Sequence, residues 1–120
     1  EETALRVAAG LGGGVGRMRE VCGTVCGAAM LAGMVYGATD GKDREAKALT
    51  YKKVQEIVEI FKQTNHSVVC RELLGLSGNV PVSPTPDART AAYYKKRPCV
   101  QIVEDAAKAA EAVLFPEEQE

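Results

Sequence analysis

The chain contains no tryptophan and only two phenylalanines in 120 residues, which leaves little from which to build a base-stacking platform. It also lacks an excess of either charge. Fifteen basic and 16 acidic side chains leave a formal net charge of −1, and apart from Lys95-Lys96-Arg97 the basic residues are scattered. A phosphate backbone needs a broad basic face, so no nucleic-acid partner is expected. Cysteine is sparse for a secreted disulfide scaffold: the chain has four, where such scaffolds carry about 8–10%. No signal peptide is visible at Glu1-Glu2, and a cytoplasmic protein is expected, in which cysteines serve metals or redox turnover more often than structural disulfides. A C-x-x-C pair is absent, which removes the thioredoxin-type motif, and C-x-x-C-H is absent, which removes covalent haem attachment. Zinc-finger spacing, G-x-G-x-x-G and the P-loop are missing too, so neither a structural zinc nor a nucleotide is expected. His66 is the sole histidine and reads as a helix C-terminal cap.

Helical patterns fill most of what is present, and no segment alternates as a strand would. Glu1 to Ala9 suits a helix ending at Gly10. Gly10-Leu11-Gly12-Gly13-Gly14-Val15-Gly16 follows, with five glycines in seven residues; Gly13, Gly14 and Gly16 are the candidates to let the backbone take positive φ and approach a bound group. Val21 to Ala38 is an uncharged run of 18 residues, eight of them Gly or Ala, with poor interfacial anchors. It reads as a buried central helix with no membrane span, and its spaced glycines, Gly23, Gly27, Gly33 and Gly37, read as points of close helix approach. Asp43 to Asn65 forms a long amphipathic pattern with Leu49, Val54, Ile57, Val58, Ile60 and Phe61 inward. A short helix over Val68 to Gly75 has Ser67 as its N-cap, Gly78 to Pro86 is an irregular loop, and Asp87 to Lys96 supports a helical turn or two. A last alanine-rich helix runs from Pro98 to Leu114. The expected fold is therefore all-α: a compact single-domain helical bundle over residues 1–115, with a glycine-rich loop before its central helix and a disordered tail at 116–120.

Three of the four cysteines, Cys22, Cys70 and Cys99, fall where a helix begins. Unpaired N–H groups and partial positive charge there favour a thiolate, so the placement points toward redox or metal chemistry. Cys99, after Pro98 and beside Lys95, Lys96 and Arg97, is expected to have a depressed pKa. Cys22 and Cys26, spaced i, i+4, share a helix face if both are helical, and joint ligation of a metal is easier there than a disulfide. All three helix starts precede apolar helices that must pack on one core, which makes their convergence a reasonable expectation.

Gly12-Gly13-Gly14-Val15-Gly16-Arg17, Glu20-Val21-Cys22-Gly23, Gly27-Ala28, Gly33 and Tyr36-Gly37 resemble the core of the C_GCAxxG_C_C family. Cys70-Arg71-Glu72-Leu73-Leu74-Gly75 and Arg97-Pro98-Cys99 resemble its two later cysteine segments, in order, so that the likeness spans about Leu5 to Val113. The resemblance implies a small helical protein whose cysteines do redox or metal work. One departure stands out: relatives usually carry an upstream helix with an Asn-Cys-Ala-Gln type segment, which residues 1–20 do not match, and Cys26 either substitutes for that cysteine or packs. The leading expectation is thiol/disulfide electron transfer through Cys22, Cys70 and Cys99 with an unidentified redox partner; nothing in the sequence excludes a homodimer. The alternatives are an iron–sulfur cluster or other metal held by Cys22, Cys26, Cys70 and Cys99, and a non-enzymatic helical interaction module whose cysteines pack the core.

Overall fold

A computed structural model describes residues 1–76 and 82–116, with the backbone alone for residues 95 and 96. Among these residues are six α-helices: α1 (Glu2–Ala8), α2 (Gly23–Tyr36), α3 (Arg44–Thr64), α4 (Cys70–Leu73), α5 (Ala91–Lys96) and α6 (Cys99–Leu114). A short 3-10 turn, Ala9–Leu11, extends α1, and no strand occurs among the described residues beyond one isolated antiparallel bridge, Val21 to Val69. The all-α expectation holds. Neither the expected tail, apart from Pro116, nor the first part of the loop expected over 78–86 falls within the described residues.

The three long helices, α2, α3 and α6, pack against one another pairwise. Small residues allow the approach. Ala28 and Ala32 of α2 meet Ala109 and Ala110 of α6 around Ile57 of α3, with Val113 and Leu114 closing that end. A second apolar layer joins Val25, Phe61, Leu73, Ile102 and Ala106, and Cys22, Val58 and Val68 pack against it. Through Leu73 and Ile102 this layer includes residues of α4 and α6, and it supports Cys22 at the start of α2.

Three expectations need correction. Although α2 touches both other long helices, only Val25, Ala28 and Ala32 are buried, while Met30, Leu31, Met34 and Val35 are exposed. In a three-helix bundle each helix has two neighbours, and two cannot cover an apolar surface that runs all the way round. Leu49, expected inside, is likewise exposed, because it precedes the stretch of α3 that α2 and α6 cover. Of the four spaced glycines, only Gly23 marks a close approach to another element: a Cβ there would stand 2.5 Å from the Leu11 carbonyl oxygen, whereas Gly27 and Gly33 face open space. No helix among the described residues is long and apolar enough to cross a membrane.

Candidate thiol site

Cys22 is the N-cap of α2, and Cys70 and Cys99 are the first residues of α4 and α6. Two of these starts are tied by backbone pairing. Cys22 N–H donates to the Val68 carbonyl at 2.8 Å and Cys70 N–H to the Glu20 carbonyl at 2.6 Å, framing the Val21–Val69 bridge as a non-hydrogen-bonded antiparallel pair. In that register Cys22 and Cys70 are diagonal neighbours on one face, which ladder geometry sets about 7–8 Å apart. Arg71 reinforces the pairing: its side chain donates to the Arg19 and Met18 carbonyls and pairs with Glu20 at 3.0 Å.

The glycine-rich loop wraps this pair from outside. From Gly13 to Arg17 every residue has positive φ, including Val15 at 63° and Arg17 at 64°, and Arg19 follows at 63°. Left-handed backbone costs a residue with a Cβ about 1–2 kcal/mol, and such strain persists only where surrounding contacts impose it. The contacts here are backbone bonds closing the loop on itself, Gly16 N–H to the Gly10 carbonyl and Glu20 N–H to the Gly14 carbonyl among them. Gly14 has no room for a side chain. At φ 72°, a Cβ on it would stand 2.5 Å from Cys70 Cβ and 2.7 Å from the Glu20 nitrogen.

Cys22, Cys70 and Cys99 line one cavity of ≈ 380 Å³ between this loop and the start of α6. Gly13, Gly14, Arg19, Arg89, Tyr93 and Arg97 complete its reactive wall. Residues 1–113 match the family described as "Putative redox-active protein (C_GCAxxG_C_C)". The chain belongs to that family. No curated protein and no solved structure gives a match. The cysteine segments of this C_GCAxxG_C_C protein are the ones that reach the shared cavity, and all four cysteines are free thiols.

Cys26 behaves differently. Because Cys22 caps α2 with an extended ψ of 129°, the pair does not share a regular helical face, and Cys26 does not line the cavity. Burial pushes the Cys26 thiol up, and the neighbouring Cys22 adds to this, against a backbone hydrogen bond that lowers it. Among the described residues no three His, Cys, Asp or Glu side chains are grouped so as to hold a metal ion, so Cys22, Cys26, Cys70 and Cys99 form no ready-made ligand set. Of the three glycines expected to approach a bound group, Gly13 and Gly14 line the thiol cavity and Gly16 the adjoining cleft.

The expected low pKa of Cys99 is overturned. Burial pushes this thiol up and outweighs the pull of the Arg97 guanidinium, with Cys22 and Cys70 pushing it further up and Arg89 drawing it down. Ser67 and His66 also differ from expectation. The short helix starts at Cys70, not Val68, and Ser67 is buried with its hydroxyl accepting from Val69 N–H and donating to Glu72. Asn65 caps α3, while His66 Nε2 donates to the Glu72 carbonyl at 2.9 Å. Arg19, Arg89 and Tyr93 were not legible as site residues. Arg19 lies far along the chain from Arg89 and Tyr93, and only its placement just after the glycine loop offered a signal.

Proposed function

We propose that this C_GCAxxG_C_C protein is a thiol-based redox protein in which Cys22, Cys70 and Cys99 exchange a disulfide with an oxidised partner. The observation that carries the reading is one cavity lined by three free thiols from three separate helix starts. Two protein thiols give up two electrons and two protons as their sulfurs bond, and a partner disulfide takes them up to become two thiols. Cys22, half-buried, is the attacking thiol, and buried Cys70, held on the paired segment, resolves the mixed disulfide. Closing that bond brings their Cα atoms from diagonal spacing to within about 4.4–6.8 Å, a small shift of two short segments. Cys99, whose thiol burial pushes up, is the third thiol lining the same cavity.

Thiol counting with and without reductant, paired with metal analysis of the same anaerobic sample, tests the reading. Two thiols should be lost on mild oxidation and recovered with dithiothreitol, in the wild type and in Cys26→Ala, and not in Cys22→Ser or Cys70→Ser. Four thiols unreactive until the chain unfolds would overturn it, as would a stoichiometric metal released by chelator.

A further inference from the structure

The thiol cavity shares its wall with a second cleft of ≈ 440 Å³, and the shared side chains are strongly basic. Arg19, Arg89 and Arg97 line both spaces, with Tyr93 between them, and Arg17 and Asp87 line the outer cleft alone. Four guanidinium groups thus face one carboxylate. That carboxylate, Asp87, already bridges Arg17 at 3.5 Å and Arg97 at 2.9 Å, and among the described residues neither Arg19 nor Arg89 has an acidic partner. The cluster is held in place by its own contacts. Arg89 and Arg97 stand over the Tyr93 ring at 5.0 Å and 5.3 Å from its centroid, Arg17 Nη1 donates to the Ser83 carbonyl at 3.0 Å, and Arg19 Nη1 reaches Cys70 Sγ at 3.7 Å.

Like charges gathered on one wall repel one another, and an anion placed among them relieves that repulsion; guanidinium forks match a carboxylate in bidentate fashion. Cavities of about 300–1,000 Å³ are the size that takes a small organic molecule. We propose that Arg19, Arg89 and Arg97 form an anion-recognition site that selects a small, carboxylate-bearing disulfide and holds its sulfur–sulfur bond against the thiols. This rests on the thiol-exchange reading for its chemistry and on the arginine wall for its selectivity. In the step itself, the Cys22 sulfur attacks one substrate sulfur as the substrate bond breaks, and the first substrate half leaves as a thiolate that takes up a proton. Cys70 then displaces the second half, loses its own proton, and leaves a protein disulfide and two reduced substrate thiols. Asp87 takes no part in recognition; it fixes Arg97 at the edge of the wall.

Three disulfides with the same reacting bond and different charge separate the terms: 3,3′-dithiodipropionate, 2-hydroxyethyl disulfide and cystamine. The reduced full chain should react with the anionic compound faster than with the cationic one by about tenfold or more at low salt, and the preference should shrink as added salt shortens the range of the field. Arg89→Gln, on an exposed segment, should abolish the preference, read as the ratio of the anionic to the cationic rate within that variant. Adipate, which resembles the anionic probe without sulfur, should bind the wild type in calorimetry and not Arg89→Gln. Adipate binding with no exchange of any disulfide keeps the anion site and overturns the redox reading. Exchange at equal rates with all three disulfides, or a charge preference that survives in Arg89→Gln, overturns the anion site and keeps the redox reading; absence of both binding and exchange overturns both.

Discussion

Gly14 and Gly16 have similar left-handed backbones and differ in surroundings. A Cβ on Gly14 meets Cys70 and the backbone of Arg19 and Glu20, whereas one on Gly16, at φ 57°, meets nothing within 4 Å. Gly16→Ala should therefore lose only the left-handed penalty of about 1–2 kcal/mol, and Gly14→Ala a further overpacking cost of about 1–3 kcal/mol. Urea unfolding of the two variants checks this, and equal losses would contradict the packing of the loop on Cys70. Cys99 gives a second prediction at this scale. With its pKa raised in the folded chain, iodoacetamide should modify it slowly at neutral pH in a variant retaining only this cysteine, with the rate still climbing with pH where that of an unshifted thiol has levelled off. Arg97→Ala removes the guanidinium that draws the pKa down, so the midpoint should move up; a fall would refute the assignment. Since the folded pKa is the higher one, the stability linked to Cys99 is full below the unfolded thiol value and is lost as pH rises through the folded value.

Individual helices were legible to different degrees. The charged face of α3 alternates with Val54, Ile57, Val58 and Phe61, so its period was visible, and Asp43 at its start accepts from Ala46 N–H at 3.0 Å as an N-cap. Asp43→Ala should cost about 1 kcal/mol in urea unfolding, and Asp43→Asn very little, since the amide oxygen can accept the same bond. A loss of equal size in both variants would place the effect elsewhere. In α2, by contrast, apolar residues run round the whole helix, and the sequence offered no way to choose which face the bundle would cover. The choice fell to Ala28 and Ala32 because they let the α6 alanines approach.

Across the molecule, the two apolar layers do different work. Ile57 and Phe61 are both almost fully buried on α3, but only Phe61 belongs to the layer against which Cys22 packs. Ile57→Ala should cost about 2–5 kcal/mol and Phe61→Ala about 3–5 kcal/mol. Their effects on the thiols should separate: under native conditions Phe61→Ala should speed modification of Cys22 and Cys70, and Ile57→Ala should not. Alkylation followed by peptide mass spectrometry reads this directly. Equal acceleration in the two variants would mean that global opening, not local support, governs thiol exposure.

The helical character of this chain, the glycine loop and the placement of Cys22, Cys70 and Cys99 near helix starts followed from the sequence, because periodicity, capping and the lack of alternating strands are local properties. The apolar exposure of α2, the pairing of residues 20–22 with 68–70 and the arginine wall did not. They depend on which distant segments meet, and Arg19, Arg89 and Arg97 become neighbours only when the loop and the start of α6 close on the same cavity. The balance at Cys99 was likewise decided by the tertiary structure. A helix start and nearby cations argued from the sequence for a lowered pKa, and burial, which arises only when the bundle packs, outweighed them.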